Sequence, residues 1–323
     1  MNIAAAKAFI ESHTDFVLAA HRSPDGDTLG SCLALYHALR TLHKTATVAC
    51  VDPVPPYLRF LPGSDTVVQT LRAVPEAAIY VDCADHARVD ALQDTLEQAP
   101  FQFCIDHHGT NPRSTKDGDW VENVAATAEL IERLIRALGV PVTKEIAECL
   151  FTGIATDTGN FAYSNTTPDT FRIAAELAET GIELPELNRR LFRTMPLRKG
   201  RLIAHTLQTM ELYEHDTVVI ACITQKDLFA CSAEEADCEG LIDYLRDLEP
   251  VEIACTLRES PDGKIRGSLR SKRGADVSAV AAAFRGGGHQ RAAGCTLDGP
   301  MEQAKQKILP ALLDAMRAFA GTR

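Results

Sequence analysis

The chain has 323 residues, 46% of them hydrophobic and 24% charged, and a net charge of −11. This is globular composition with room for two ordinary cores, neither disordered nor fibrous. The acidic balance excludes a general binder of long nucleic acid, whose affinity rests on many phosphate contacts, and no apolar run approaches the roughly 20 residues needed to span a bilayer.

In chain order, MNIAAAKAFIESHTDF mixes Lys7, Glu11 and Asp15 into a helical pattern with no signal-peptide core, so a cytoplasmic protein is expected. DFVLAAH (15–21) reads as a short strand, followed by a helix from Thr28 to about Leu42. ATVACVD (46–52), AAIYVD (77–82) and FQFCID (101–106) are further strands, each apolar and bounded by Pro, Gly or charged residues. Residues 124–139, 143–156 and 168–180 have helical periodicity, with Gly139 and Gly181 placed as stops. A polar, arginine-rich helical stretch over 185–212 carries no motif and suits an exposed linker. DTVVIACI (216–223), VEIACTLRE (251–259) and KIRGSLRS (264–271) read as strands, the last two joined by the turn SPDG. Helices over 234–247 and 301–320 complete a smaller domain. The expected class is α/β: a doubly wound, mainly parallel sheet over 1–184, a helical linker over 185–213, and a smaller α/β domain with a mixed sheet over 214–323. The ten cysteines sit singly in apolar segments with no CxxC pair, as reduced and mostly buried thiols do.

Three of the first four strands run into clusters of carboxylate and imidazole: HRSPDGD (21–27), VDCAD (81–85) and DHH (106–108), with TDTGN (156–160) following. Ligand sites of a doubly wound sheet form beyond the carboxyl ends of its strands. Hard divalent cations prefer carboxylate oxygen, and added imidazoles shift the preference toward manganese. Two ions need one carboxylate to bridge them and open positions for water and a substrate oxygen. His21, Asp25 and Asp27 are expected in one loop shaped by Pro24 and Gly26, the alternative being an Asp-rich turn that caps the helix at Thr28. Asp82 ends an apolar strand, where an unpaired carboxylate is costly; Asp85 competes for its role. Adjacent residues of a strand point to opposite faces, so at most one of His107 and His108 is expected as a direct ligand. Asp157 lies at a helix C-terminus with Gly159 ready for a left-handed turn.

From Lys264 to Arg291 there are seven basic residues against Asp276, so this stretch is +6 and the remainder −17. Within it GGGHQRAAG (286–294) offers backbone N–H groups of Gly286, Gly287 and Gly288, with His289 and Arg291 beside them, to an oxyanion. A small anionic substrate could be held there.

These motifs resemble those of the DHH phosphoesterase family, named for the triplet that stands here as Asp106, His107 and His108. GGGHQRAAG is similar to the glycine-rich motif of the substrate domain in one branch, and length and layout most resemble its nanoRNases, many of which also dephosphorylate 3'-phosphoadenosine 5'-phosphate (pAp). The resemblance implies two Mn2+, with Mg2+ or Co2+ as substitutes: His21 and Asp25 on one ion, Asp27, His107 and Asp157 on the other, and Asp82 bridging. It gives His108 the substrate phosphate or nucleophilic water, Asp106 the task of orienting a ring nitrogen, and Arg270 and His289 the nucleotide. One departure is Arg285, where many relatives have a fourth glycine. The implied partners are short oligoribonucleotides, dinucleotides or pAp, with no long nucleic acid and no membrane; homodimerisation is left open. A phosphodiesterase specific for cyclic di-AMP or pApA would use the same two domains. A manganese pyrophosphatase would lack GGGHQRAAG, and a non-catalytic nucleotide sensor would be expected to have lost ligands, of which none is missing here.

Overall fold

The alternation of apolar strands and helices takes shape as two units, divided between Thr194 and Met195. The computed structural model describes residues 2–321; Met1, Thr322 and Arg323, which close the two expected domains, lie outside them. Unit 1 runs α1 (Ile3–Ser12), β1 (Asp15–Ala19), α2 (Gly26–Thr41), β2 (Thr45–Ala49), β3 (Ala77–Val81), the short α3 (Gln93–Glu97), β4 (Phe101–Asp106) and β5 (Asp119–Val121). Four helices close it: α4 (Thr127–Ala137), α5 (Lys144–Asp157), α6 (Pro168–Glu179) and α7 (Leu184–Phe192).

The five strands are all parallel, in the order β2-β1-β3-β4-β5. A sheet covered on both faces calls for continuous apolar strands, and β3 is buried at every residue. The chain reverses its direction of travel across the sheet between β1 and β3, which pair as far as Ala19 and Tyr80. The crevice of a doubly wound sheet opens at that reversal. His21 and Asp82 therefore leave neighbouring strands at the same edge. On the sheet's flank α2 and α5 touch through glycines: a Cβ on Gly30 would lie 2.4 Å from the Cys149 carbonyl oxygen, and one on Gly153 would lie 2.9 Å from Asp27 Oδ1. Any side chain at Gly153 would push Asp27 out of place.

Unit 2 runs α8 (Leu197–Thr209), β6 (Glu211–Tyr213), β7 (Val218–Ile223), α9 (Gln225–Cys231), α10 (Leu241–Arg246), β8 (Ile253–Glu259), β9 (Ile265–Ser271), α11 (Val277–Ala283), β10 (Gly287–His289), β11 (Ala292–Leu297) and α12 (Met301–Gly321). Its six strands lie in the order β10-β11-β9-β8-β7-β6, with β7 and β8 parallel and the other pairs antiparallel. One face packs Cys255, Leu257 and Leu269 with Ala281 of α11 and Ile308 of α12. On the other face Ile242 and Leu245 of α10 cover Val219 and Ala254, while Leu202, Leu228 and Leu241 gather around Ile223. α10 also reaches β9 but leaves part of it open. β9 accordingly alternates, with Ile265, Gly267, Leu269 and Ser271 buried and Arg266 and Ser268 exposed.

Three local expectations change. The first long helix begins at Gly26 rather than Thr28, because Asp25 is its N-cap and accepts from the Asp27 and Thr28 amides. The 185–213 stretch is two helices and the short strand β6, each helix packed into its own unit: Leu187 of α7 is buried in the unit 1 core and Leu202 of α8 in unit 2. The helix read over 234–247 is a 3-10 turn at Glu235–Cys238 and then α10, interrupted by Gly240 at φ +74°. Among the described residues no helix is long and apolar enough to cross a membrane.

Candidate metal centre

The four clusters converge at the carboxyl edge of the unit 1 sheet. His21 is buried just past β1; its Nε2 lies 3.8 Å from Asp25 Oδ2 and 3.5 Å from Asp82 Oδ2. On the far side of Asp82, His107 Nε2 lies 3.6 Å from Oδ1, and also 3.3 Å from Asp157 Oδ2 and 4.0 Å from Asp27 Oδ2. Donor atoms of His21, Asp25 and Asp82 fall within 4.8 Å of one another, as do those of Asp27, His107 and Asp157, so each set could hold one ion. The two oxygens of Asp82 face different sets.

Local structure fixes each donor. His21 Nδ1 lies 2.8 Å from the Arg22 carbonyl oxygen and 3.1 Å from Arg88 Nη2. The nitrogen cannot donate to one and accept from the other, and the shorter contact leaves Nε2 unprotonated for a metal. His107 Nδ1 is held in the same way by the Val124 carbonyl at 3.2 Å. Asp27, wholly buried, accepts from the Thr127 amide at 2.7 Å and the Ala128 amide at 2.9 Å, the first N–H groups of α4. A helix N-terminus favours such an anion. Asp82 takes φ +58° immediately after β3, a conformation costing a non-glycine residue about 1–2 kcal/mol; Thr127 donates its hydroxyl to Oδ1 at 2.9 Å. Asp157 ends α5, whose C-terminal dipole repels a carboxylate and welcomes a cation beside it.

The electrostatics are those of an anionic cluster in need of positive charge. Among the described residues, the ion-pair partners of Asp25, Asp27, Asp82 and Asp157 are histidines; no lysine or arginine pairs with them. Burial, then repulsion from Asp82, Asp157 and Asp25, pushes the Asp27 carboxyl well above its ordinary value. Burial likewise pushes Asp157 up to about 6, with His107 opposing and Asp82 adding. Divalent cations would reverse that repulsion, and the oxygen and imidazole donors fit hard or borderline ions. Thiolates are not on offer: burial pushes Cys50 up to about 11 and Cys83 up to about 12.

The expectation that His107 and His108 point to opposite faces is corrected. β4 ends at Asp106, so strand alternation no longer governs the pair, and their ring centroids are 4.5 Å apart. His108 Nδ1 lies 2.7 Å from Asp106 Oδ1 and 3.5 Å from Asp82 Oδ1, making a third donor group of Asp82, His107 and His108. Burial would raise Asp106, but hydrogen bonds from His108 and Asn111 outweigh it and hold the carboxyl below its ordinary value. The same bond raises His108, against burial. Asp85 stays outside, exposed and capping the Ala87 amide. Thr127, Ala128, Asn111 and Arg88 went unnoticed in the sequence. Two act through backbone N–H groups, which leave no residue-type signal; Asn111, three positions after His108, could have been suspected.

In unit 2 the expected substrate residues share one sheet face. Arg270 on β9 is in register with Ala292 on β11, and Ala292 with His289 on β10. Register partners of antiparallel strands share a face, so Arg270 and His289 stand two strands apart, roughly 10 Å, over a small residue. The glycines are not an open loop. Gly287 and Gly288 belong to edge strand β10, and a Cβ on Gly286 would lie 2.2 Å from the Gly294 carbonyl oxygen.

Residues 15–154 match the DHH family, N-terminal domain, and residues 217–320 match the DHHA1 domain. A Thermus thermophilus protein described as the bifunctional oligoribonuclease and PAP phosphatase NrnA is 37% identical over 303 residues, 93% of this chain and 89% of that one. The chain belongs to the DHH phosphoesterase family. As a DHH phosphoesterase it is a metal-dependent hydrolase of phosphoester bonds. NrnA of Bacillus subtilis, described in the same words, is 28% identical over 298 residues, 89% of this chain and 91% of that protein. The crystal structure of an exopolyphosphatase-related protein from Bacteroides fragilis has a TM-score of 0.90 and 29% identity, covering 98% of this chain and 96% of that one. The expected two-sheet α/β fold is the fold of this DHH protein.

Proposed function

We infer that this DHH phosphoesterase uses two manganese ions to hydrolyse short oligoribonucleotides to mononucleotides, and pAp to AMP and phosphate. The observation that carries the reading is the division of Asp82, whose Oδ2 lies 3.5 Å from His21 Nε2 and whose Oδ1 lies 3.6 Å from His107 Nε2. His21 and Asp25 would hold one ion, Asp27, His107 and Asp157 the other, and Asp82 would be shared, with Mg2+ or Co2+ as substitutes. When bound, the ions supply Lewis-acid polarisation of the phosphate and acidify water at neutral pH. The chain's own residues do the rest. Asp106 accepts a hydrogen bond from His108 Nδ1–H and favours the doubly protonated ring, whose Nε2–H, on a side chain 37% exposed, donates to a phosphate oxygen; in the neutral ring Nε2 instead accepts from the attacking water. Water attacks phosphorus and the P–O bond to the leaving ribose oxygen breaks.

In unit 2, Arg270 and His289 grip another phosphate of the nucleotide, and the Gly286–Gly288 edge lets it approach the backbone. The two NrnA relatives, described as oligoribonuclease and PAP phosphatase, and the match to the DHHA1 domain support this choice over a pyrophosphatase. Turnover of pApA, pAp, cyclic di-AMP and pyrophosphate with Mn2+ tests it. The expected order puts pApA and pAp first; preference for pyrophosphate or cyclic di-AMP would overturn it.

A further inference from the structure

The chain turns sharply as it leaves the candidate ligand Asp157. Gly159, Asn160 and Phe161 stand one after another in the left-handed region, at φ +55°, +57° and +65°, a conformation that disfavours any residue with a Cβ. Thr158, wholly buried, holds the turn in place. Its carbonyl accepts from the Ala162 and Tyr163 amides at 3.0 and 2.9 Å, and its hydroxyl accepts from the Phe161 amide at 3.1 Å while donating to the Ile154 carbonyl at 2.6 Å. The return of the loop is pinned to the same ligand: Asn165 Nδ2 donates to the carbonyls of Asp157 at 3.1 Å and Ala125 at 3.0 Å. Backbone held this far from its resting conformation is found where the placement of a side chain matters.

Two aromatic side chains leave the turn into different surroundings. Phe161 packs on the unit 1 core, its ring centroid 5.3 Å from that of Phe171. Tyr163 stays 58% exposed. Its ring rests over Gly159, where a Cβ would lie 2.4 Å from Tyr163 Cζ, 2.5 Å from Cε1 and 2.7 Å from Cε2, so glycine alone lets the ring lie against the backbone. Among the described residues no other ring stacks on Tyr163, and its hydroxyl makes no hydrogen bond. Gly159 follows Asp157 by two residues, so their Cα atoms lie within about 7.6 Å of each other. A flat aromatic face beside a metal ligand, on a backbone tied to that ligand, suits a nucleotide, which carries its flat base one sugar away from its phosphate. Every base offers a π-face to such a ring, and a ring already fixed by its turn loses little freedom on stacking.

We propose that Tyr163 is the stacking platform for the base of the nucleotide whose phosphoester is cleaved. The inference rests on the nucleotide reading of the metal centre. It gives unit 1 its own grip on the substrate, through the base and tolerant of base identity, whereas Arg270 and His289 of unit 2 act on phosphate.

The test measures kcat and KM for pAp and for its base-free counterpart, ribose 3,5-bisphosphate, on wild type, Y163F, Y163L and Y163A. Y163A should lose about ten- to a hundredfold in kcat/KM on pAp, mostly through KM, and less than about twofold on the base-free compound. Y163F should stay within about twofold of wild type on both. Y163L, which keeps an apolar cover on Gly159 without a π-face, should fall with Y163A. Manganese content should be the same in all four proteins, since Tyr163 is no ligand. The platform is overturned if Y163A or Y163L cleaves pAp at the wild-type kcat/KM, or if Y163A loses as much on the base-free compound as on pAp. If wild type does not hydrolyse pAp, the proposed activity fails instead. The platform is then judged by the fluorescence of 2-aminopurine riboside 3',5'-bisphosphate, which wild type and Y163F should quench and Y163A should not; no quenching by wild type, or equal quenching by Y163A, overturns it.

Discussion

Unit 1 sinks Asp27 and Asp82 between a sheet edge and two helices, whereas unit 2 leaves Arg266 of β9 and Arg285, in the turn before β10, exposed to solvent, with Arg258 of β8 half-buried. The contrast lies in what each charge needs in order to fold. A buried carboxylate facing other carboxylates stands at a high desolvation cost until a cation joins it. An arginine at the surface is already solvated and needs no partner. Changes in unit 1 should therefore register in metal content and stability as well as in rate, and changes in unit 2 in substrate handling alone.

The largest expected break in that contrast comes from the metal ligands. Asp27→Ala or His107→Ala should empty the set they share with Asp157 and cost at least about a thousandfold in kcat, equivalent to about 4 kcal/mol of transition-state stabilisation. Elemental analysis of the purified variants checks the loss of metal. Next, Arg270→Ala or His289→Ala should lower kcat/KM on pApA by about ten- to a hundredfold with manganese content unchanged. Hydrolysis of bis-p-nitrophenyl phosphate should survive better, since the lost binding energy belongs to a remote part of the natural substrate. Loss of metal in either variant would erase the distinction between the units.

A third effect is on stability. Each ion present at a hundredfold excess over its Kd adds about 2.7 kcal/mol, so chelation should lower the melting temperature by about 5–10 °C. The pH dependence has a definite sign. Asp27 and Asp157 have folded-state values raised above their unfolded ones, so the stability they contribute is present at low pH and lost as pH rises through their folded values, about 6 for Asp157. Metal binding displaces those protons. The gap in melting temperature between manganese-loaded and stripped protein should widen from pH 5 to pH 7.5; a gap that narrows would contradict the clustered carboxylates. The smallest effect concerns length. With only a few arginines on one face of a net acidic chain, rate per end should decline beyond about five nucleotides, and equal rates on a dinucleotide and a 24-mer would point to a processive exonuclease.

The parts of this molecule legible in the sequence are those written in residue type. The continuous apolar runs of β1, β3 and β4 announced a parallel sheet, and the carboxylates and imidazoles at their ends announced where ligands gather. What stayed hidden depends on backbone and on short elements. β5 has three residues and α9 and α11 seven each, too few for a periodic pattern to stand out. The amides of Thr127 and Ala128 that hold Asp27 belong to whichever residues occupy those positions. The pairing of His107 with His108 was misread because strand geometry was extended one residue past the strand's end.

The central claim is that one carboxylate serves two ions, and the metal stoichiometry of Asp82→Ala tests it most directly. Wild type should bind two manganese ions per chain by titration calorimetry and elemental analysis, and Asp82→Ala should bind neither tightly while losing turnover on pApA and pAp. An Asp82→Ala protein that still carried two manganese ions and turned over at near the wild-type rate would contradict the account.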